Sequence, residues 1–208
     1  YGVSAQENER LGLPCGGRLT LLLQRLVDVD YAWLQEALDA LERRHCIERH
    51  LDLGTGTTIT APVEHYTPLV IDERHLRQCF GPRLRMLLVG AGQLAHNLAE
   101  LGLAMDYEVI VTDPRQQLLD HWEGPAVGLV QGMPDDVVRD HASDKHSVVI
   151  TLTHDPRIDD MALMEALGYD AWYVGAMGSL RTTEKRLDPL RQRELSEGRL
   201  IPIFGPSV

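Results

Sequence analysis

A chain of 208 residues, 44% hydrophobic and 25% charged, carries enough apolar mass to bury a core and has the composition of an ordinary globular protein. Its 20 Lys and Arg against 31 Asp and Glu leave a formal net charge of −11 with no basic run, a surface that repels nucleic acid and anionic lipid and argues against either as a partner. No apolar stretch is long enough to span a bilayer, nothing after Tyr1 reads as a signal peptide, and three cysteines without a C-x-x-C spacing suit reduced thiols, so the expected location is the cytoplasm.

Residues 1–14 are polar and read as a helix or a loose lead-in. Leu13-Pro14-Cys15-Gly16-Gly17 is a turn of two glycines directly after a cysteine, so backbone N–H groups near the sulfur would stabilise a thiolate; a small buried residue in a turn is the competing reading. Residues 19–26 read as a strand with Leu19, Leu21 and Leu23 on one face. Asp28-Val29-Asp30 then opens a helix over 31–44 with Leu34, Leu38 and Leu41 in a stripe. Two strands, 46–53 and 57–61, flank Gly54-Thr55-Gly56 as a hairpin. Residues 66–82 form a charged connector ended by Gly81-Pro82, which divides the chain into units 1–82 and 83–208. Cys46 and Cys79 read as structural.

Beyond that boundary strand and helix alternate, which argues a parallel sheet. Met86 to Val89 is an apolar run ended by glycine, as in a strand buried on both faces. Gly90-Ala91-Gly92-Gln93-Leu94-Ala95 is a G-x-G-x-x-A turn, followed by Leu94, Leu98 and Leu101 at helical spacing with Ala95 and Ala99 beside them. A second run, Val109 to Val111, leads to Asp113, at the roughly 20-residue separation of a dinucleotide-binding βαβ unit. In such a unit Gly90 makes the tight turn, Gly92 lets backbone N–H groups approach a phosphate, and the helix dipole favours an anion beside Gln93. Asp113 would accept hydrogen bonds from a ribose diol and its charge would disfavour a 2′-phosphate; the alternative is a cap for a helix starting at Pro114. Further strands are expected over 126–131, 147–153 and 171–174, and helices from Pro134 and over 159–167. A long helix over 179–195 and an edge strand over 201–204 complete the pattern. The fold class is therefore α/β: a Rossmann-like parallel sheet with helices on both faces, preceded by a smaller α/β unit.

Ligands bind at the carboxyl ends of strands in such sheets, so two further loops are candidates. His154, in Thr153-His154-Asp155, would serve as a base or ligand oriented by Asp155 or Asp159, or the segment is a polar turn in which Asp155 caps the next helix. No second His or Cys stands at ligand spacing, so no metal site is expected. Gly175, Gly178, Ser179 and Arg181 bring N–H groups, a hydroxyl and a guanidinium to another helix start, a second anion cradle; the bland alternative is a capping serine and a solvated arginine.

Leu13 to Gly17, Val-Gly-Ala-Gly-Gln-Leu-Ala at 89–95, Val-Thr-Asp-Pro-Arg at 111–115, Leu-Thr-His-Asp from Leu152 with Asp159, and Tyr-Val-Gly-Ala-Met-Gly-Ser-Leu-Arg-Thr at 173–182 together resemble the XdhC/CoxI family, the accessory or maturation proteins of xanthine and carbon monoxide dehydrogenases. The resemblance implies a protein that binds the molybdenum cofactor (molybdopterin), protects it during sulfuration and hands it to the apo-dehydrogenase, with Cys15, Gly16 and Gly17 helping to hold it. The implied partners are a client molybdenum hydroxylase of the xanthine or carbon monoxide dehydrogenase type and a cysteine desulfurase, with further copies of the chain itself in a homo-oligomer. The pattern departs from the family in three places. The family's upstream Ser-Gly-Gly-Cys-Val-Glu segment would precede Tyr1, its usual His stands as Gln93, and its Pro-Ile-Gly-Leu is only loosely matched by Ile201 to Gly205.

Three functions fit these residues. A cofactor carrier uses two anion-ready helix starts and a thiol. An NAD-dependent oxidoreductase would use Gly90, Gly92 and Asp113 equally well, but no substrate domain follows and no Tyr-Lys or Cys-His pair is evident. A Rossmann domain kept for protein contact is the third.

Overall fold

The computed structural model describes residues 4–12, 21–153 and 155–177. The expectations for Cys15, Gly16 and Gly17, for His154, for Gly178, Ser179 and Arg181, and for the helix and strand after them lie outside the described residues.

A short helix α1 (Ala5–Arg10) is capped by Ser4, whose side chain accepts from the Glu7 N–H. A 3-10 turn at Asp28–Asp30 leads into α2 (Tyr31–Glu42). Strands β1 (Cys46–Asp52), β2 (Thr58–Val63), β3 (Val70–Ile71) and β4 (His75–Phe80) form an antiparallel sheet in the order β2-β1-β4-β3. The expected hairpin is present, with Cys46 opposite Val63 and Leu51 opposite Thr58.

Three local expectations are corrected. Residues 21–26 form no strand, and Leu21 and Leu23 are 60% and 93% exposed. The described antiparallel sheet is made of β2, β1, β4 and β3 alone, and this segment joins none of their ladders. The supposed connector holds β3 and β4 instead, closed by Asp72, whose Oδ1 accepts from the N–H groups of Arg74 and His75 at 2.7 and 2.8 Å. In α2 the buried positions are Trp33 and Ala37, while Leu38 is 54% exposed. Trp33 stacks on Phe80, carries the Arg49 guanidinium over its ring at 4.2 Å, and donates its indole N–H to Asp30.

The second sheet is parallel, in the order β7-β6-β5-β8-β9. Its strands are β5 (Arg85–Val89), β6 (Glu108–Thr112), β7 (Gly128–Val130), β8 (Ser147–Thr151) and β9 (Tyr173–Ala176). The chain starts in the centre at β5, moves outward through β6 and β7, then crosses to β8 on the other side. Helices α3 (Gln93–Ala104) and α4 (Gln116–Asp120) follow β5 and β6; α5 (Pro134–His141) and α6 (Pro156–Ala166) follow β7 and β8. Alternation along β5 divides the core. Met86 and Leu88 pack with Ala95, Ala99 and Leu119 on the α3/α4 face, Leu87 and Val89 with Val137, Val138, Ala162 and Leu163 on the other. The expected Rossmann-like sheet with helices on both faces is thus present. Gly175 lies within β9, opposite Ile150, and not in a turn after it.

The small residues of α3 face the sheet. Ala95 and Ala99 are fully buried, whereas Leu94 and Leu101 are 44% and 57% exposed. A Cβ on Gly102 would lie 2.9 Å from Val109 Cγ2, so the helix sits as close as its backbone permits.

The two sheets are joined by Arg44, in the left-handed region at φ 59° just after α2. Its Nε and Nη2 reach both oxygens of Asp144 at 2.5 and 3.3 Å, and Nη2 donates to the His146 carbonyl at 3.1 Å. Among the described residues no helix is long and apolar enough to cross a membrane. Because the guanidinium is mostly buried, Arg44→Ala leaves Asp144 without its main partner and should lower stability by about 2 kcal/mol, read as a shift in denaturant midpoint. A change indistinguishable from zero would show that the junction does not depend on this pair.

Candidate functional site

The crossing of the chain from β7 to β8 leaves a crevice between β5 and β8 at the carboxyl ends of the strands, the place where open α/β sheets bind ligands. A cleft of about 740 Å³ lies there, between the Gly90 to Leu94 turn, the segment after β6 and the loop after β8.

The two glycines of the turn do different work. Gly90 has φ +113°, and a Cβ on it would meet Thr153 Cγ2 at 2.8 Å and the Thr153 backbone nitrogen at 3.2 Å, so only glycine lets the loop after β8 pass. Gly92, the N-cap of α3, has φ −101°, and a Cβ there would meet nothing within 4 Å because it would project into the cleft. Gln93 opens α3 with its side chain turned to Asn97.

Asp113 is fully buried beneath this turn. Its Oδ1 accepts from the Arg115 backbone N–H at 2.9 Å and from Arg115 Nε at 2.8 Å; its Oδ2 accepts from Arg115 Nη2 at 2.9 Å and from the Ala91 N–H at 3.2 Å. Burial works to raise this carboxyl, but the Arg115 and Ala91 hydrogen bonds prevail and hold it below the ordinary aspartate range. A ribose diol would therefore meet an oxygen pair that is already engaged. The expected helix at Pro114 begins at Gln116.

On the far side, Asp159 of α6 is also fully buried, and its Oδ1 accepts from Thr153 Oγ1 at 2.7 Å and from the Thr153 N–H at 3.2 Å. This fixes the very side chain that Gly90 must clear. Asp155 caps α6 by accepting from the Arg157 N–H at 3.0 Å, and the Arg157 side chain draws its carboxyl down to about 2. That pair is solvent-exposed and contributes little to stability.

The arrangement can bind. It offers N–H groups at a helix start, two guanidiniums from Arg115 and Arg157, and an apolar wall from Leu94, Leu118 and Leu152. Sequence reasoning passed over the pairing of Arg115 with Asp113; its signal was the Asp-Pro-Arg spacing, which turns the arginine back over the carboxylate. Gly175 lies outside this cleft, its own Cβ position filled by the Tyr173 ring.

A larger cavity of about 1010 Å³ opens at the opposite edge of the sheet, where the strands begin, and is lined by Cys46, His146 and Lys145 among others. Cys46 Sγ lies 3.6 Å from His146 Nε2. Burial pushes the thiol up and the imidazole down, which leaves a neutral pair and not an activated thiolate. The electropositive, phosphate-ready features belong to the cleft at the crossing.

Two expectations follow from the glycines and the carboxylate. Gly90→Ala should cost at least about 2 kcal/mol through its backbone conformation and the Thr153 contact, whereas Gly92→Ala should stay within about 0.5 kcal/mol; equal thermal midpoints for the two variants would contradict the division. Since the folded Asp113 pKa is lowered, its contribution is complete above the unfolded carboxyl pKa and is lost as pH falls through the folded value. Asp113→Asn should therefore flatten the acid limb of a stability-against-pH curve. A limb as steep as the wild type's would place the titrating group elsewhere.

The chain is 25% identical over 194 residues to the molybdenum cofactor insertion chaperone PaoD of Escherichia coli (strain K12), an alignment covering 93% of this chain and 54% of PaoD. The chain thus spans about half the length of that curated relative. A crystal structure of a xanthine dehydrogenase from Bacillus halodurans superposes with a TM-score of 0.60 at 20% identity, over 76% of this chain and 55% of that one, a likeness of fold. The family described as the XdhC Rossmann domain matches residues 86–207, more than half of the sequence, and the chain belongs to that family.

Proposed function

We propose that this protein holds the molybdenum cofactor in the cleft at the crossing and assists its sulfuration and its insertion into a molybdoenzyme of the xanthine dehydrogenase type. The observation that carries this reading is the turn at Gly92, where the space a Cβ would fill is open cleft at a helix start, beside the Arg115 guanidinium. A pyranopterin that ends in a phosphate, or in a nucleotide when extended, fits that chemistry. The similarity to PaoD, a molybdenum cofactor insertion chaperone, points the same way.

The cofactor is cargo here, and the metal chemistry it supplies belongs to the client enzyme. This chain's residues bind and shield. The N–H groups of Gly92 and Gln93 donate to the phosphate, Arg115 balances its charge, and Leu94, Leu118 and Leu152 exclude water from one side. Gly90 and Asp113 hold the turn in shape. Cys15, Gly16 and Gly17, which the family resemblance implies, and His154, Gly178, Ser179 and Arg181, from the other two candidate loops, belong to the same proposal, with the Cys15 thiol as a ligand for the cofactor; Gly175, inside β9, does not. The partners proposed are a client dehydrogenase and a cysteine desulfurase, with location in the cytoplasm and self-association as further parts of the reading.

The test is reconstitution. Wild-type protein loaded with sulfurated cofactor should raise the activity of a cofactor-free dehydrogenase; Gly92→Val, whose fold should persist, should lose cofactor uptake and that activation, and Cys15→Ser should weaken it. Full activation by Gly92→Val would place the cofactor elsewhere. Steady-state hydride transfer from NADH by the protein alone would replace the carrier reading with an oxidoreductase.

A further inference from the structure

The end of the cleft beside β6 has the opposite polarity to the one its sequence suggests. In a dinucleotide-binding unit a free acid after the second strand accepts a ribose diol, and a nearby arginine accommodates a 2′-phosphate in its place. Here the acid is present but spent. Asp113 is fully buried, and both its oxygens are taken by Arg115 and the Ala91 N–H. Arg115, by contrast, is half-exposed, with a side-chain relative exposure of 53%, and lines the cleft. Its Nε and one Nη2 proton face Asp113, and Nη1 lies outside that pairing.

The charges along the cleft agree. Its lining holds two guanidiniums, Arg115 and Arg157, and one carboxylate, Asp155. Asp155 is the other acid whose field reaches Arg115, and Arg157 already holds it through its side chain and its backbone N–H. Each guanidinium thus has its own carboxylate, but the Asp113 charge lies buried behind Arg115, so the face turned to the cleft at this end is the guanidinium, inside a chain of net charge −11. Position matters as much as sign. Arg115 Nη2 and the Ala91 N–H share the single oxygen Asp113 Oδ2, at 2.9 and 3.2 Å, so the guanidinium is fixed one carboxylate oxygen away from the glycine turn. A guanidinium held by a buried acid is also pre-organised, so little rotamer entropy is lost when it meets a ligand.

We infer that this cleft selects ligands carrying a phosphate ester where a dinucleotide enzyme would take a ribose diol, and that Arg115 is the residue that reads it. The inference rests on the reading of the cleft as the site of a phosphate-bearing cofactor. It separates this chain from NAD-binding proteins of the same fold, because a bare diol finds no free acceptor at Asp113 and an added phosphate finds a charged fork.

NAD+ and NADP+ are matched probes, since they differ only in the 2′-phosphate. Calorimetric titration of the full chain with each should give about tenfold tighter binding of NADP+, the size of one charge-assisted contact. Arg115→Ala should bring the two affinities together. Because that variant strands a buried carboxylate, Arg115→Gln, which keeps a donor for Asp113 and removes only the cation, should be measured beside it and should give the same equalisation. Equal affinities in the wild type, preference for NAD+, binding of neither probe at millimolar concentration, or a preference that survives both substitutions would each overturn the inference. Molybdopterin uptake with equal NAD+ and NADP+ affinities would sink it and leave the proposed function standing. Selectivity for NADP+ without molybdopterin uptake would do the reverse.

Discussion

One buried carboxylate organises the candidate site. Asp113 directly follows β6 with no solvent exposure, and four donors from two segments converge on it. A charge so placed is tolerable only when it is fully paired, so the Ala91 N–H and the Arg115 fork are held where it needs them. The same pairing therefore settles the position of the glycine turn and the direction of the cleft's cation. On the other side of β5 the pattern repeats, with buried Asp159 holding Thr153 against Gly90. Two acids, one on each side of the central strand, set the walls of a single cleft.

The rest of the fold serves that placement. Five parallel strands with apolar faces on both sides give a rigid platform, and the reversal of strand order after β7 opens the crevice between β5 and β8. Ala95, Ala99 and Gly102 bring α3 close enough that its first N–H groups stand directly over the sheet edge. The antiparallel sheet is locked to this platform by Arg44, which meets Asp144 and the His146 carbonyl at the start of β8, the edge away from the cleft. The cleft end stays open, and the joint lies elsewhere.

Much of the parallel sheet was legible because its signals are local. Met86 to Val89 and Val109 to Val111 are uninterrupted apolar runs, each bounded by the residue that must follow a central strand. Where the deciding contact was distant, the reading failed. His75 to Phe80 looks like a charged connector, since His75 and Arg77 sit on the face that α2 leaves uncovered, and its strand character comes from pairing with β1. The Leu21 to Leu26 run looks like a strand and joins no ladder. In α3 the leucines suggested the packing stripe, yet closeness to the sheet favoured alanine and glycine. At the site, the tight turn at Gly90 and the start of α3 after Gly92 were readable from spacing. The engagement of Asp113 was not, because it depends on the rotamer of Arg115 and on the depth of the carboxylate.

The central claim is that a phosphate sits between the 90–93 turn and Arg115. The most direct measurement is the mapping of amide and guanidinium chemical shifts in isotope-labelled protein as molybdopterin is added. The account predicts saturable shifts at the Gly92 and Gln93 amides and at Arg115 Nε, with the Cys46, Lys145 and His146 signals at the opposite edge of the sheet unmoved. Shifts confined to Cys46, Lys145 and His146, with the glycine turn silent, would contradict it.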